Sequence, residues 1–522
     1  MTEQQLLESS EPGSGRARVE SALAARLRAV APLLVAGPLS GVDADPAVDA
    51  AGLLDVLVSS VVVDPANERI WLLLTAVGAA FPTRDEVDAV RRLCELSDPV
   101  GAAVAVLDAG SAAGGDLDAV IEVVTGAVLA DVDFAAQNDL HTGIQQVVRS
   151  LLPRWVDLRG VVPVVWTGAT GGLRRLSETE ADRVLCWATR HSAPAGPDPV
   201  VGEGSRPGEG SRPGHRPVLV VPWRSVVVMV EVPPAGVLDR VAAVGQYSGN
   251  RLVGVLYDVI PAVSTDMVPA NETSKFVRYL AAVKFAARMA GISVTAAAEL
   301  SGFVRALSSQ GIVGPVVGAV ALPTGGSGEV GRPPVGRPVV LVVGSHEPRK
   351  NHLAVLHSAE VLWREGVDFS LWFIGGSGWG EEFPDRVAVL QGLGRSVRVE
   401  RAVSDRVLAG AYASAWFTVF PSLHEGFGLP VAESLSFGVP VITTGYGSTA
   451  EIGGPGGCVL VDPRDGRALT DAMRRLLGEP EVLAGLRAQI AGRPVRGWQD
   501  YADELWEFLV GPELAVVGEG GG

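Results

Sequence analysis

Lysine and cysteine are scarce in this chain of 522 residues. Lysine occurs only at Lys275, Lys284 and Lys350, so arginine supplies nearly all of the 43 basic side chains. The three cysteines lie far apart and form no CxxC pair, which excludes a disulfide framework and a cysteine metal site of the usual spacing. Such cysteine usage is typical of a reducing compartment.

The chain also lacks a long hydrophobic run and an excess of positive charge. Its longest apolar stretches, such as residues 311–322, reach about a dozen residues, whereas a membrane-spanning helix needs about 20. The first 30 residues are mostly polar, so we expect no secretory signal there. The net charge of −16 argues against a general coat for nucleic acid or anionic membranes. These absences predict a soluble, cytoplasmic protein of several domains.

Apolar sequence is abundant and follows two kinds of pattern. Apolar residues make up 47% of the chain, which is enough for large cores. Residues 16–112 repeat them at three- and four-residue spacing, which predicts helices, one of them starting in a capping box at Thr83 and Glu86. From about residue 120, apolar strands alternate with helical segments, which include a helix predicted over 274–290. That alternation predicts parallel α/β sheets with helices on both faces.

Two segments rich in Gly and Pro interrupt the α/β pattern. The sequence "GEGSRPGEGSRPGHRP" contains a tandem repeat without an apolar anchor, and predicts a flexible surface insertion at about 194–217. Residues 322–338 have the composition of an interdomain linker. The predicted organisation is a helical accessory region with a disordered start over 1–115, a first α/β domain over 116–325, a second over 326–494, and a C-terminal helix over 495–510.

The most informative motif is "FPSLHEGFGLPVAESLSFGVPVIT", residues 420–443. Its pattern predicts a strand, a glycine loop, a helix and a second strand. Gly426 and Gly428 allow backbone amides to approach a ligand closely. The helix that follows would direct free N–H groups and positive dipole at the loop, which favours a phosphate or another anion. Glu425 and Glu433 flank this position, where carboxylates suit sugar or ribose hydroxyls.

A second motif, "VVGSHEPRKNH", covers residues 342–352. It predicts a strand that ends at Gly344 and a helix that begins near Asn351. Arg349 and Lys350 stand between them and offer a guanidinium fork and a point charge for a diphosphate. Lys350 is the last lysine in a chain that otherwise uses arginine, which makes its position more informative.

Four further residues carry weaker signals. Gly143 opens a predicted helix in "NDLHTGIQQVVR", directly after a strand region. Asp258 ends a buried strand in "LYDVIP", where an acid can hold either a loop or a substrate hydroxyl. Ser293 and Glu231 are candidates of the same kind, since each lies near the end of a strand-like stretch.

Together these motifs resemble the retaining, nucleotide-sugar-dependent glycosyltransferases of family 4. "HEGFGLPVAESLSFGVPVI" is similar to the family's two glutamates in E-x7-E spacing, and "VGSHEPRKNH" to its strand end with Gly, Arg and Lys. "HTGIQQVVRSLL", "LYDVIPA" and "AEIGGPGGCVLVDPRD" follow the family's order of landmarks over about residues 120–510. The resemblance implies the GT-B fold, an α/β architecture of two Rossmann-like domains facing a cleft, here with an N-terminal helical region added.

The resemblance also implies roles for individual residues. Arg349 and Lys350 would bind the donor diphosphate, Glu433 the ribose, and Glu425 the donor sugar. Asp258 and Tyr257 are candidates for contact with the acceptor or for holding a loop; Tyr257 stands where many relatives carry His. The residues implied in catalysis are Arg349, Lys350 and Glu425; those implied in donor binding are Gly143, Gly344, Gly426, Phe427, Gly428, Leu429 and Glu433.

The predicted activity is transfer of a hexosyl group, mannosyl or rhamnosyl, from a nucleotide diphosphate sugar to a hydroxyl of a glycan or lipid-linked glycan. GDP-mannose is the first donor to test, and the resemblance implies no metal or other cofactor. No nucleic-acid partner is expected. Peripheral contact with the inner membrane face and a protein partner that binds residues 1–115 are both compatible with the predicted activity. Two alternatives remain open: a GT-B enzyme that is not a transferase, such as a sugar-nucleotide epimerase or a phosphorylase, and a non-catalytic Rossmann-type scaffold.

Overall fold

The computed structural model describes residues 12–35, 49–168, 171–192, 216–324, 336–379, 382–401 and 403–519. The predicted flexible insertion, the predicted linker and the predicted disordered start therefore lie largely outside the described residues. Within these ranges, no helix combines the length and the apolar character needed to cross a membrane.

The first sheet contains nine strands in the described part of the chain, in the order β1-β5-β4-β3-β2-β6-β7-β8-β9. Neighbouring strands are parallel except that β4 runs antiparallel to β3 and β5. The strands are β1 (Val120–Thr125), β2 (Val128–Asp131), β3 (Val162–Trp166), β4 (Leu173–Arg175), β5 (Val218–Trp223), β6 (Val226–Met229), β7 (Arg251–Leu256), β8 (Arg288–Gly291) and β9 (Val316–Ala319).

Five N-terminal helices share a hydrophobic core with one face of this sheet. Trp71 packs against Phe81 with ring centroids 5.1 Å apart, and Phe81 against Trp166 of β3 at 5.9 Å. The predicted capping box is present, since Thr83 and Glu86 exchange side-chain and backbone hydrogen bonds. The helices are α1 (Pro12–Leu34), α2 (Ala50–Val63), α3 (Asn67–Gly78), α4 (Arg84–Leu96) and α5 (Pro99–Ala112).

Arg26 fastens this helical layer to the edge of the sheet. Its buried guanidinium donates hydrogen bonds to the carbonyls of Ala76 at 2.6 Å, and of Leu117 and Ala119 at 2.7 Å each. Burial lowers its pKa to about 10. Because a buried guanidinium is tolerated only when its N–H groups are satisfied, Arg26 ties α1 to α3 and to the segment that enters β1.

Helices on both faces connect the strands of the first sheet. The other face forms a second core that includes α7 and residues from the end of the chain. The connecting helices are α6 (Asp133–Gln137), α7 (Gly143–Arg159), α8 (Glu178–Leu185), α9 (Trp187–Ser192), α10 (Leu238–Tyr247), α11 (Ile260–Val263), α12 (Ala270–Val283) and α13 (Val294–Leu307).

The second unit is built on a six-stranded sheet, in the order β12-β11-β10-β13-β14-β15, with every pair parallel. Its strands are β10 (Val339–Val343), β11 (Ser370–Ile374), β12 (Val397–Glu400), β13 (Phe417–Phe420), β14 (Val441–Thr444) and β15 (Cys458–Val461). Its helices are α14 (His352–Arg364), α15 (Glu382–Gly392), α16 (Asp405–Ser414), α17 (Leu429–Ser436), α18 (Gly447–Gly453), α19 (Gly466–Gly478) and α20 (Pro480–Ala491). From β10 the chain continues to β11 and β12 on one side of the sheet, and from β13 it continues to β14 and β15 on the other side. A topological switch point therefore lies between β10 and β13.

The final segment packs back on the first unit. It comprises α21 (Trp498–Leu505), a π-helical turn (Trp506–Val510) and α22 (Gly511–Glu519). Trp155 of α7 donates to the carbonyl of Ala502 at 3.0 Å. Glu513 is buried and pairs with Arg251 and Arg288 of β7 and β8 at 2.6 and 2.8 Å. Residues 498–519 therefore cover strands of the first sheet.

Three details differ from the sequence prediction. The helix predicted over 274–290 ends at Val283, and its last residues form β8, because a short apolar run is typical of either structure. The helix predicted to end at 510 is followed by α22, which the Glu513 pairs hold in place. The short α15 and β12 were not predicted at all.

We expect Arg26→Ala to lower the free energy of unfolding by about 3 kcal/mol or more, because the buried carbonyls of Ala76 and Ala119 lose a charged donor. Thermal and urea unfolding measure this loss. Arg16→Ala is the matched control on the same helix, since among the described residues Arg16 pairs with exposed Glu20, and its loss should change stability by less than about 0.5 kcal/mol. Equal losses for the two variants would contradict the structural role of Arg26.

Candidate active site

Arg349, Lys350 and Glu425 form one cluster at the carboxyl edge of the second sheet, which we call the cation–carboxylate cluster. The two cations lie in the 3₁₀ turn that follows β10, and Glu425 in the loop between β13 and α17. Lys350 Nζ lies 2.5 Å from Oε1 of Glu425, and Arg349 Nη1 lies 2.9 Å from its Oε2. The amide of Leu423 also donates to the carbonyl of Arg349 at 2.7 Å. The cluster therefore occupies the switch point between β10 and β13, where parallel α/β sheets bind ligands.

The cluster is nearly enclosed, and Glu347 beside it supplies the second negative charge that balances its two cations. The side chains of Lys350 and Glu425 are only 9% and 10% exposed. Burial alone would raise the pKa of Glu425, but Lys350 and Arg349 hold it at about 2. Burial lowers the pKa of Lys350, and Glu425 opposes that change. Glu347 and Ser422 complete the cluster: Glu347 Oε2 accepts from Arg349 Nε at 2.7 Å, and Ser422 Oγ donates to Glu425 at 2.6 Å.

The glycine loop after Glu425 is pressed against the first unit. A Cβ added to Gly426 would lie 1.9 Å from the carbonyl oxygen of Tyr257, so no other residue fits there without movement. Ser293 Oγ donates to the carbonyl of Gly426 at 2.6 Å. Gly428 has a φ of 109°, a left-handed value that favours glycine, and it precedes the first turn of α17. The loop conformation is thus set both by its glycines and by contacts across the cleft.

Glu433 lies one turn after the start of α17, and its carboxylate faces α16 and α7. Tyr412 donates its hydroxyl to Glu433 Oε2 at 2.9 Å, and Gln146 of α7 is a second hydrogen-bond partner. Burial raises the pKa of Glu433 to about 7, although both hydrogen bonds oppose the rise. Glu433 therefore changes its charge near neutral pH.

The other residues implied in donor binding differ in their surroundings and in which of their atoms a ligand could reach. A Cβ on Gly143 would lie 2.9 Å from a methyl group of Leu429, so this helix start of the first unit closely approaches α17. Gly344 ends β10 with a left-handed φ of 148°. The side chain of Phe427 is buried in the apolar core. Only its backbone is therefore available to a ligand.

Asp258 and Tyr257 follow β7 and face different surroundings. Asp258 Oδ1 accepts from the amide of Ile260 at 3.0 Å, which shapes the start of α11. Burial raises the pKa of Asp258, while Arg349 opposes the rise, so its carboxyl group is electrostatically coupled to the cluster. The hydroxyl of Tyr257 donates to the carbonyl of Val230 at 2.7 Å. The side chain of Tyr257 therefore contacts the first sheet, and its backbone carbonyl contacts the glycine loop.

Two further contacts join the units beside the cluster. His424, the residue before Glu425, places Nε2 2.9 Å from Glu299 and Nδ1 2.8 Å from Ser264 Oγ. The hydrogen bond to Glu299 raises the pKa of His424. Glu451 of α18 accepts from the amides of Val294 and Thr295 at 2.9 and 2.7 Å. The loop that carries Glu425 is thus held by residues of both units.

The two weakest sequence candidates have different positions. Ser293 caps α13 by accepting from the amide of Ala296 at 3.0 Å and contacts the glycine loop, so it adjoins the site. Glu231 accepts from the amide of Ala135 with both oxygens, and burial raises its pKa to about 7. Glu231 holds the start of α6 and is not part of the cluster.

Sequence reasoning missed several residues that the structure brings to this place. Glu347 and Ser422 lie inside the two motifs, and Glu347 stands only two positions before Arg349, a charge spacing that could have indicated it. Glu299, Ser264 and Tyr412 come from distant helices and loops and carry no local signal. In the described ranges, no group of three or more His, Cys, Asp or Glu side chains is arranged to hold a metal ion.

Replacing Gly426 by Ala is expected to displace the glycine loop, because the added methyl group would overlap a backbone carbonyl. We expect the free energy of unfolding to fall by about 1–3 kcal/mol. Hydrogen exchange of the 424–429 amides should also accelerate. Gly410→Ala is the control: a Cβ there meets nothing within 4 Å on exposed α16, so it should stabilise the protein by about 0.5–1 kcal/mol. Unchanged stability and exchange in Gly426→Ala would contradict the close packing described here.

Residues 337–479, which contain the whole cluster, match the family described as "Glycosyl transferases group 1". Among curated proteins, the mannosyltransferase WbdA of Escherichia coli is 37% identical over 106 residues, 20% of this chain and 13% of that protein. O-antigen chain mannosyltransferase B of Escherichia coli is 34% identical over 131 residues, 25% and 34% of the two chains. D-inositol 3-phosphate glycosyltransferase of Thermobispora bispora is 34% identical over 180 residues, 32% and 42%. The matches thus span less than half of each of these relatives.

Two solved structures can be compared with the structure of this chain. The Anabaena protein HepE in complex with UDP and glucose has a TM-score of 0.47 and 12% identity, over 73% of this chain and 98% of that one. Sucrose-phosphate synthase of Thermosynechococcus elongatus gives 0.47 and 15% over the same shares. The chain itself has two α/β sheets, the first mostly and the second entirely parallel, and the N-terminal helical region that the sequence predicted. By its match to the group 1 family and by this architecture, the chain resembles the GT-B glycosyltransferases.

Proposed function

We propose that this protein is a retaining glycosyltransferase that moves a hexosyl group from a nucleotide diphosphate sugar to a hydroxyl of a glycan or glycolipid. The observation that carries the proposal is the buried cation–carboxylate cluster, which lies within the residues that match the group 1 family. Two cations and a carboxylate at a sheet switch point suit a ligand that carries both phosphate and sugar hydroxyls.

The chemical demand of this reaction is stabilisation of the leaving group. When the bond between the sugar and the diphosphate breaks, negative charge develops on the β-phosphate oxygen. Arg349 and Lys350 would stabilise that charge more strongly in the transition state than in the bound donor. Their enclosure strengthens the effect, because charges interact more strongly away from water. The proposal assigns this neutralisation to the protein's own cations, without a metal ion.

The carboxylate of Glu425 lies between the two cations, where it takes the position of an anion. Its oxygens lie 2.5 and 2.9 Å from them, distances that two phosphate oxygens would also adopt. In the proposed donor complex, the diphosphate takes over these contacts, and Glu425 accepts hydrogen bonds from hydroxyls of the transferred sugar. The first turn of α17, at Leu429, directs the positive end of the helix dipole to the same side.

The donor and the acceptor are proposed from the relatives. Several curated relatives are named as mannosyltransferases, which favours a mannosyl donor, and GDP-mannose is the proposed one. The acceptor is proposed to be a glycan, including one linked to a lipid. We accordingly place the protein in the cytoplasm, with peripheral association to the inner membrane face where the acceptor is lipid-linked.

Lys350→Ala should reduce kcat by about 100-fold or more, because it removes one of the two groups that stabilise the leaving diphosphate. Release of nucleoside diphosphate from GDP-mannose and other sugar nucleotides measures the loss, and thermal unfolding checks that the variant folds. Lys284→Ala is the control, because Lys284 lies over the Phe285 ring in the first unit and should leave kcat unchanged. Near-normal turnover in a folded Lys350→Ala variant would refute the assignment.

The same assay separates the transferase from its alternatives. A transferase releases nucleoside diphosphate in proportion to acceptor and keeps the anomeric configuration of the donor, which NMR of the product reports. An epimerase changes the sugar without an acceptor, and a phosphorylase requires free phosphate. Absence of all three activities in the wild-type protein would favour a non-catalytic scaffold.

The affinity for GDP-mannose should rise with pH between 6 and 8. Glu433 is proposed to accept hydrogen bonds from the ribose as a carboxylate, and its raised pKa of about 7 leaves most of it protonated at pH 6. If the donor binds only the ionised form, Kd should fall about tenfold over this range, since a sugar nucleotide has no phosphate monoester that titrates there. Calorimetry at several pH values measures Kd. Glu433→Gln should bind more weakly and show no such slope; a slope that persists in this variant would contradict the role.

A further inference from the structure

His424 joins the two units at the edge of the cation–carboxylate cluster. Its ring bonds the first unit through both nitrogens: Nε2 lies 2.9 Å from Oε1 of Glu299 on α13, and Nδ1 lies 2.8 Å from Ser264 Oγ, just after α11. Its backbone bonds the second unit, since its carbonyl accepts from Arg349 Nη1 at 3.2 Å. One residue therefore links the first unit to a cation of the cluster, directly before Glu425 in the chain.

The charges around the ring of His424 favour its protonated form. The hydrogen bond to Glu299 raises the pKa of His424 most, and burial opposes this rise. The charges of Glu299 on α13, of Asp258 after β7 and of Glu425 in the same loop raise it further. Arg349 is the cation that faces His424 from the turn after β10, and it is paired with Glu425. The balance of these groups favours an imidazolium.

The carboxylate of Glu299 depends on His424 for its compensation. The side chains of Glu299 and His424 are 22% and 14% exposed. Oε1 of Glu299 bonds the imidazole, whereas Oε2 is buried and has no hydrogen-bond partner among the described residues. A hydrogen bond between two charged groups is about twice as strong as a neutral one. Protonation of His424 therefore strengthens a contact between the units, and not one within either of them.

We propose that His424 is a positioning residue: as an imidazolium it holds the loop that carries Glu425 against the first unit through Glu299, and so aligns Glu425 with the two cations for the reaction. The inference rests on the proposed transferase function. Because its ring faces Glu299 and Ser264, His424 acts on the reaction through the loop and not by contact with the donor. A neutral imidazole can still donate to Glu299, but the ion pair is then lost and the loop is held less firmly.

Glu299→Gln tests the charge of this pair, since an amide oxygen still accepts the hydrogen bond. At pH 6, protection of the 424–429 amides against hydrogen exchange should be about five- to tenfold lower than in the wild type. At pH 9 the two proteins should differ by less than about twofold, because the imidazole is then neutral in both. Glu272→Gln is the matched control in the first unit, where an exposed pair with Lys275 is lost, and protection should not change. Equal protection of the wild type and Glu299→Gln at pH 6 would overturn the proposal.

Turnover of saturating GDP-mannose, with methyl α-D-mannopyranoside as the acceptor probe, gives a second test. In the wild type, kcat should fall as pH rises through the raised pKa of His424, because the imidazolium is lost. Saturation removes the effect of Glu433 on donor affinity from this profile. Glu299→Gln should move the fall to lower pH, since it removes the group that raises the pKa most.

His424→Gln keeps hydrogen-bonding atoms but cannot titrate. At pH 7 it should lower kcat by about tenfold, change the Kd for GDP-mannose by less than about threefold, and abolish the fall of kcat at alkaline pH. Thermal unfolding checks that the variant folds. Wild-type kcat and pH profile in the folded variant would refute the role of His424. Lost protection with an unchanged kcat would assign it to structure alone and overturn the proposal as well.

Failure of this proposal can be distinguished from failure of the proposed function. If protection responds to pH and to Glu299→Gln as expected but the wild type turns over no sugar nucleotide, the contact between the units stands and the transferase function fails. If sugar is transferred and neither protection nor kcat responds to the two substitutions, the transferase function stands and the role of His424 fails.

Discussion

The candidate site depends on one buried ion pair network, that of Glu425 with Lys350 and Arg349. An unpaired charge at this depth would cost several kcal/mol, so neither the cations nor the carboxylate could be held there alone. The pairing joins the turn after β10 to the loop after β13, two segments that are 75 residues apart for Lys350 and Glu425. Because these strands are neighbours in a parallel sheet, their carboxyl ends bring the partners together.

Most of the second unit could be predicted from sequence, because its signals are local. The strand, glycine loop and helix of residues 420–443 are each marked by residues at short spacing, and the Arg349–Lys350 pair ends a recognisable strand. The three residues implied in catalysis do meet in space. The residues of β8 were predicted as the end of a helix, because a short apolar run is typical of a helix and of a strand alike.

The rest could not be predicted because it depends on contacts between distant segments. Nothing near Glu299 indicates that it will meet His424, and nothing near Tyr412 indicates Glu433. The N-terminal helices were predicted as helices and interpreted as an accessory region, yet they share a core with the first sheet. The difference lies in the contacts of Arg26 and of Phe81 with Trp166, whose partners are 50 to 93 residues away and leave no periodic signal.

The missing side chain of Gly426 has a further consequence. Its backbone lies directly on the backbone of Tyr257, and Ser293, Ser264 and Glu299 hold the loop from the same side. The loop that presents Glu425 is therefore shaped by both units and belongs fully to neither. Separation of the units would release this loop from its contacts, so assembly of the site and exclusion of water from it are a single event. For the proposed transferase, an open cleft would then admit and release ligands without the capacity to react, which would protect the donor from hydrolysis between turnovers.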